Sequence, residues 1–296
     1  MRHGAASPEG ATVLAIDVGN TQTVLGVLRG PEVLDLFRLN SAVPRTGDEL
    51  FPTVDRLLAP YREALRSSGR AVIGSVVPSL TPAWEGLVVR LLDRPALVAG
   101  AGQAGNLTID LLDPASLGVD RICNAVAVAA LYRVPAIVVD LGTATTFDVV
   151  LKGPRYVGGA ILPGIVTSAE ELFRRAARLA KVELRRPPRV LGRNTEESIQ
   201  SGVFYGAVAQ IDGLVERLRR ELRIRPLVVA TGGLAGSLAE DSATIEVVDP
   251  ALTLQGLRIL GERASSRPSR SSVAGPARLG RPRRRRGVAP SRRDQV

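Results

Sequence analysis

The sequence predicts an α/β protein of two similar halves with mixed sheets around a cleft, followed by a disordered basic tail. Three observations predict it: short Val/Ile-rich runs alternate with longer helical patterns, one motif is spelled twice, and the composition changes abruptly near residue 263.

TVLAIDV (12–18) reads as a buried strand, and TVLGVLR with EVLDLFRL reads as a hairpin after it. Apolar spacing then predicts a helix over 48–66, a strand over 71–77 and a helix near 82–92. After a loop come an apolar helix over 121–132, the strand AIVVDLG (136–142), the β-rich TTFDVVL and a helix over 164–180, with GGAILPG (158–164) at its start. A long helix over 195–222 and the strand-turn PLVVATGG (226–233) follow. In the long helix Ile199, Val203, Val208, Ile211, Val215, Leu218 and Leu222 recur at helical spacing, yet Gly202, Gly206 and Gly213 interrupt it. Each Gly costs ~1 kcal/mol relative to Ala, so another helix, a second subunit or a ligand is expected against them.

The repeat organises the rest. Ala15–Val24 aligns with Val138–Phe147 at an offset of 123, each an apolar strand, then Asp-x-Gly, then a Thr-rich turn. Two halves, 12–118 and 119–262, are therefore expected to face each other.

Composition removes several chemistries. One cysteine, Cys123, forbids an intramolecular disulfide, and the single histidine, His3, lies in a polar N-terminal extension. Zinc sites of Cys and His, Cys-His pairs and Ser-His-Asp triads lack their parts. Residues 263–296 hold eleven Arg and one acid, which leaves 28 basic and 28 acidic residues in 1–262. The body is neutral, so the formal charge of +10 speaks for the tail alone. No run approaches the ~20 apolar residues of a membrane span, and a cytoplasmic protein is expected.

Asp17-x-Gly19-Asn20-Thr21-x-Thr23 places a carboxylate at a strand end with turn amides and hydroxyls after it, a set suited to Mg²⁺ and phosphate as well as to an ordinary hairpin. Asp140-x-Gly142-Thr143-Ala144-Thr145-Thr146 repeats that chemistry. Gly232 and Gly233 after an apolar strand allow either a close approach to a flat ligand or a tight turn. Gly118-Val119-Asp120-Arg121 opens an apolar helix; Asp120 reads as its N-cap, or as a carboxylate able to take a hydroxyl proton beside an anion-binding Arg. Asn194 and Glu197 match a capping arrangement, and Trp84 and Cys123 read as core.

In order, DVGNT, SVVP, GVDR, VVDLGTATTFDVV, GGAILPGI, RNTEESIQSGVFYG and ATGG resemble the type III pantothenate kinases, a family of the actin, sugar-kinase and chaperone-ATPase superfamily, over about 14–260. The resemblance implies two ribonuclease-H-like halves and transfer of the ATP γ-phosphoryl group to pantothenate. It implies ATP phosphates at Asp17, Val18, Gly19, Asn20, Thr21, Gln22, Thr23, Val24 and Thr143, a potassium or ammonium ion at Asp140, and Mg²⁺ near Asp17. Pantothenate contacts are implied at Leu111, Gly118, Val119, Asp120, Arg121 and Thr195, with Asp120 as proton acceptor, in a homodimer. Leu111 stands where the family usually has Tyr, Leu112 where Asp is expected, and Gln22 where Asn is common. A non-catalytic nucleotide-binding regulator whose tail reaches DNA is the alternative; with no aromatic in the tail, weak nucleic-acid contact is all that is expected of it.

Overall fold

The computed structural model describes residues 10–100, 102, 104–175, 182–183 and 185–266, which belong to one compact unit ending at Ser266. His3, the last residues of the helix expected over 164–180 and the tail from residue 267 lie outside the described residues.

The first sheet begins as an antiparallel meander of β1 (Thr12–Val18), β2 (Gln22–Arg29) and β3 (Glu32–Asn40). It continues through β4 (Arg70–Ser75), parallel to β1, and the short β5 (Leu97–Val98), giving the order β3-β2-β1-β4-β5. β6 (Thr108–Ile109) joins the edge of the second sheet. That sheet holds β7 (Ala136–Leu141), β8 (Ala144–Leu151), β9 (Arg155–Pro163), β10 (Leu227–Thr231) and β11 (Val247–Val248) in the order β11-β10-β7-β8-β9-β6. From β9 to β11 it repeats the first sheet strand for strand, with the same parallel and antiparallel pairings.

The duplication is therefore structural. Even the register shift recurs, between Val27 and Leu28 in one sheet and between Val149 and Val150 in the other. These positions are 122 apart, whereas Asp17 and Asp140 are 123 apart. The turn between β1 and β2 spans residues 19–21, and that between β7 and β8 spans only 142–143. One residue is lost in the second turn, so Thr21 corresponds to Thr143 and not to Ala144, which corrects the fixed offset.

Helices complete the layers. α1 (Gly47–Leu57) carries a full capping box, Thr46 with Glu49; α2 (Arg62–Ser67) and α3 (Thr81–Leu92) follow. The single helix expected over 48–66 is broken by a 3-10 turn at Ala59–Tyr61, because Pro60 has no N–H to continue the ladder. α4 (Val119–Leu131), α5 (Ile165–Arg175), α6 (Thr195–Leu222), α7 (Ala235–Ala239) and α8 (Leu252–Ser266) make up the remainder. Residues 158–163, expected to open a helix, are strand β9, whose pairing with β8 overrides the turn signal of its glycines. Residues 263–266, grouped with the tail on composition, complete α8.

Each strand of the two sheet centres buries both faces, which is why it reads as a continuous apolar run. Val13 and Ala15 of β1, with Ala136 and Val138 of β7, face an inner cluster around α4 and α8. Leu14, Ile16 and Val18 face α1 to α3, while Ile137, Val139 and Leu141 face α6 and α7. α4 and α8 thus lie between the sheets, packed so closely that a Cβ on Gly256 would run into the backbone of Cys123. In the chain α4 follows β5 and β6, and α8 follows β11. Trp84 and Cys123 are buried core residues as expected. Among the described residues no helix is long and apolar enough to cross a membrane.

Candidate functional site

Asp17 and Asp140 occupy matching places near the carboxyl ends of β1 and β7, where ligands bind in open α/β sheets. The turns after them fold alike: Gly19 N–H donates to Gln22 O (3.0 Å) and Gly142 N–H to Ala144 O (3.1 Å). The sheets bring the two turns together, and Thr21 Oγ1 lies 2.9 Å from Thr143 Oγ1. Both threonines and Asn20 are exposed, so their polar atoms are available to a ligand, whereas Thr23 is buried and bonds Ser41 Oγ at 2.6 Å. Thr23 thus fixes the turn from beneath.

Gly164 tightens the second turn. Its N–H donates to Thr143 O (3.0 Å), Thr167 Oγ1 donates to the same oxygen (2.8 Å), and a Cβ at Gly164 would collide with the carbonyl oxygens of Gly142 and Thr143. Gly232, at a φ of 92°, lets the turn after β10 approach the same region, since its Cβ would lie 2.7 Å from the backbone of Leu141. Gly233 has open space around it. The tight-turn reading therefore belongs to Gly232, and only Gly233 offers an open approach.

α4 supplies the third carboxylate. Gly118 is its N-cap position and Asp120 stands at the second helical residue, where its Oδ1 accepts from the N–H of Arg121 (2.8 Å). The N-cap expected of Asp120 is thus corrected: the chain is already helical at Val119, which leaves the Asp120 side chain beside the helix N-terminus instead of closing it. Asp17 feels the charges of Asp120 and Asp140, and Asp140 feels that of Asp120. Burial first, then Asp120 and Asp140, push Asp17 up to about 8; burial first, opposed by a bond from Asn124 and reinforced by Asp120 and Asp148, pushes Asp140 up to about 6. The Asp17 carboxylate accepts no hydrogen bond from any described residue. A carboxylate trio without a basic partner suits a cation, although among the described residues no cluster of three metal-ligating side chains converges as a cage. A Mg²⁺ held mainly by phosphate and water through one or two carboxylates fits that donor set.

Sequence reasoning missed Asn124, Asp148 and Tyr156. Asn124 lies one turn beyond Asp120 on the same face of α4 and is fully buried; it donates to Asp140 Oδ2 (2.9 Å) and accepts from Thr253 Oγ1 of α8 (2.8 Å). Its signal was a lone amide in an otherwise apolar helical run. Asp148, buried in β8, pairs with Arg121 at 2.7 Å and accepts from Tyr156.

The substrate-side positions divide. Leu111 is partly buried near Gly158, whose added Cβ would lie 3.7 Å from Leu111 Cδ2, whereas Leu112 is fully exposed. Only Leu111 can line a pocket here. Thr195 begins α6, capped by Asn194 as expected, with Glu197 N–H donating to Asn194 Oδ1 (2.8 Å). Thr195 is exposed and, with Pro163, Leu172, Ile199, Gly202 and Gly206, lines a groove of about 460 Å³ between α5 and α6. Among the described residues, and apart from the helix's own backbone, nothing lies within 4 Å of a Cβ at Gly202, Gly206 or Gly213.

Comparison with known proteins decides the family. The family model described as type III pantothenate kinase matches residues 13–217. The chain belongs to the type III pantothenate kinase family. Among curated relatives, the type III pantothenate kinase of Moorella thermoacetica is 45% identical over 252 residues, covering 85% of this chain and 99% of that protein. That of Desulforapulum autotrophicum is 44% identical over 253 residues, covering 85% and 97%. Among solved structures, a Campylobacter jejuni protein described as a Baf family transcriptional activator covers 85% of this chain and 98% of its own, with a TM-score of 0.52 and 20% identity, a likeness of fold alone. Leu111 stands where the resemblance implies a tyrosine. Leu111→Tyr is expected to lower the KM for pantothenate about threefold, because the ring adds contact and its hydroxyl can meet an amide. Steady-state kinetics with pantothenate varied checks it; a raised KM would show a pocket reshaped around leucine.

Proposed function

We propose that Asp17, Asp120, Asp140 and the turns around Thr21 and Thr143 carry out the reaction of this family, transfer of the ATP γ-phosphoryl group to the primary hydroxyl of pantothenate, the first step of coenzyme A biosynthesis. The contact that supports this reading best is the 2.9 Å meeting of Thr21 and Thr143 beside the three carboxylates. Two equivalent turns meet there, each following an aspartate near the end of its strand.

The exposed groups of the 17–24 segment, at Asn20, Thr21 and Gln22, and Thr143 hold the phosphates, while Thr23 fixes the turn from beneath. Asp120 accepts the hydroxyl proton as the substrate oxygen bonds to the γ-phosphorus and the bond to the β–γ bridging oxygen breaks, releasing ADP. Gly118, Val119 and Leu111 line the acceptor site, Arg121 meets an anionic group of pantothenate, and Thr195 contacts the substrate from the start of α6. Bound Mg²⁺ at Asp17 and potassium or ammonium at Asp140 would neutralise charge that protein groups alone do not offset. Such catalysis is positioning and electrostatics, which suits a site without His or a nucleophilic Cys.

We assign the α5–α6 groove to a second copy of the chain, because it leaves the open glycine face of α6 and the exposed Val166 and Leu172 uncovered. The two repeat units act as halves around the nucleotide, the enzyme works in the cytoplasm, and the tail has no part in the reaction beyond weak, salt-sensitive contact with polyanions. The regulator alternative has no observation in its favour.

Asp17 and Asp140 are assigned different ions, so activity is expected to need both a divalent and a monovalent cation. ATP consumption with pantothenate and Mg²⁺ should fall when sodium replaces potassium at constant ionic strength. Equal rates in the two salts would remove the cation role from Asp140.

A further inference from the structure

Asp148 stands in β8 where an apolar residue would be expected, with its side chain fully buried. Its Oδ1 accepts from Arg121 Nε (2.7 Å) and from the Tyr156 hydroxyl (2.8 Å), and its Oδ2 accepts from Thr146 Oγ1 (3.2 Å). The Arg121 guanidinium carbon also lies 5.8 Å from the centroid of the Tyr156 ring. Two hydroxyl donors therefore fix the carboxylate, and that carboxylate and a ring hold one guanidinium.

Replacing a buried ion pair by apolar residues is often neutral or stabilising, so stability alone is a poor reason for a carboxylate in this core. The geometry gives a better one. Asp148 engages only Nε, and the two terminal nitrogens of Arg121 have no hydrogen-bond partner among the described residues. The planar fork is thus held by its stem with its paired donors left for a ligand, one residue from Asp120.

We propose that Asp148, held by Tyr156 and Thr146, is a positioning residue that aims Arg121 at the anionic end of pantothenate and so sets acceptor affinity. This rests on the substrate role given to Arg121 above. Burial raises the Asp148 carboxyl and the Arg121 charge opposes that rise, so the two side chains form one electrostatic unit.

The test is a double-mutant cycle on steady-state kinetics, with ATP and pantothenate varied separately in the intact protein. Asp148→Asn is expected to raise the KM for pantothenate at least ~10-fold while that for ATP moves less than about twofold, and Tyr156→Phe to do the same more weakly. In an Arg121→Gln background, neither change should have a further effect, because each acts through Arg121. Losses that multiply with Arg121→Gln, or that fall equally on ATP and pantothenate, would overturn the proposal, as would a folded Asp148→Asn enzyme with an unchanged pantothenate KM. If Asp148→Asn does not fold, the Tyr156→Phe cycle, which removes one hydroxyl, decides by the same criteria. A parent enzyme without pantothenate-dependent ATP consumption would instead sink the assigned reaction, before any variant is compared.

Discussion

Asp120→Asn is expected to leave a folded protein that binds ATP normally and turns over at least ~100-fold more slowly, the low end of what a general base contributes. The substitution is clean because of where Asp120 sits. Its Oδ1 accepts from Arg121 N–H at 2.8 Å, and the amide oxygen of Asn can accept the same bond, so the start of α4 keeps its geometry. The amide cannot take a proton. Asp17 is raised partly by the charge of Asp120, so the variant also relieves repulsion within the trio. Its melting temperature should therefore be equal to or above that of the parent. Turnover, nucleotide binding and thermal melting separate these outcomes, and near-normal turnover would reduce Asp120 to a residue of the first helical turn.

Gly164→Ala is expected to raise the KM for ATP at least ~10-fold and to destabilise the fold by about 1–3 kcal/mol, the range for forcing an extra carbon into a packed site. The added methyl has no flexible neighbour to displace. It meets the carbonyl oxygens of Gly142 and Thr143, whose turn is held by bonds from Gly164 N–H (3.0 Å) and Thr167 Oγ1 (2.8 Å) to Thr143 O. Moving that turn withdraws Thr143 from Thr21. Pantothenate affinity should change less, because Arg121 is anchored separately through Asp148. An ATP KM unchanged in a folded Gly164→Ala protein would detach Thr143 from the phosphates.

The parts of the fold legible in the sequence are those where one physical signal dominates. β1 and β7 are buried on both faces, so each shows as an apolar run ending at Asp-x-Gly, and the duplication follows from the shared spelling. The single residue lost from the second turn was not legible, because Thr and Gly on either side accept both turn lengths; the strand bounds, the spacing of the register shifts and the pairing of Thr21 with Thr143 reveal it. β5, β6 and β11 are two residues each, too short to leave a periodicity, and are fixed by their neighbours. Asp120 reads as a cap or as a site acid because a cap and a first-turn acid share the same residue preferences, and helix boundaries shift by a residue or two without a change in that signal. Asn124 and Asp148 were overlooked because their partners, Asp140 with Thr253 and Arg121 with Tyr156, lie on other elements.

The central claim is that this trio of carboxylates and paired threonine turns moves a phosphoryl group from ATP to a pantothenate hydroxyl. It is tested most directly by incubating the purified full chain with ATP labelled in the γ-phosphate, pantothenate, Mg²⁺ and potassium, and resolving the products. Label appearing in phosphopantothenate in step with ADP, and absent when pantothenate is omitted, is the expected result; ATP consumed at the same rate without pantothenate, or label released only as inorganic phosphate, would contradict it.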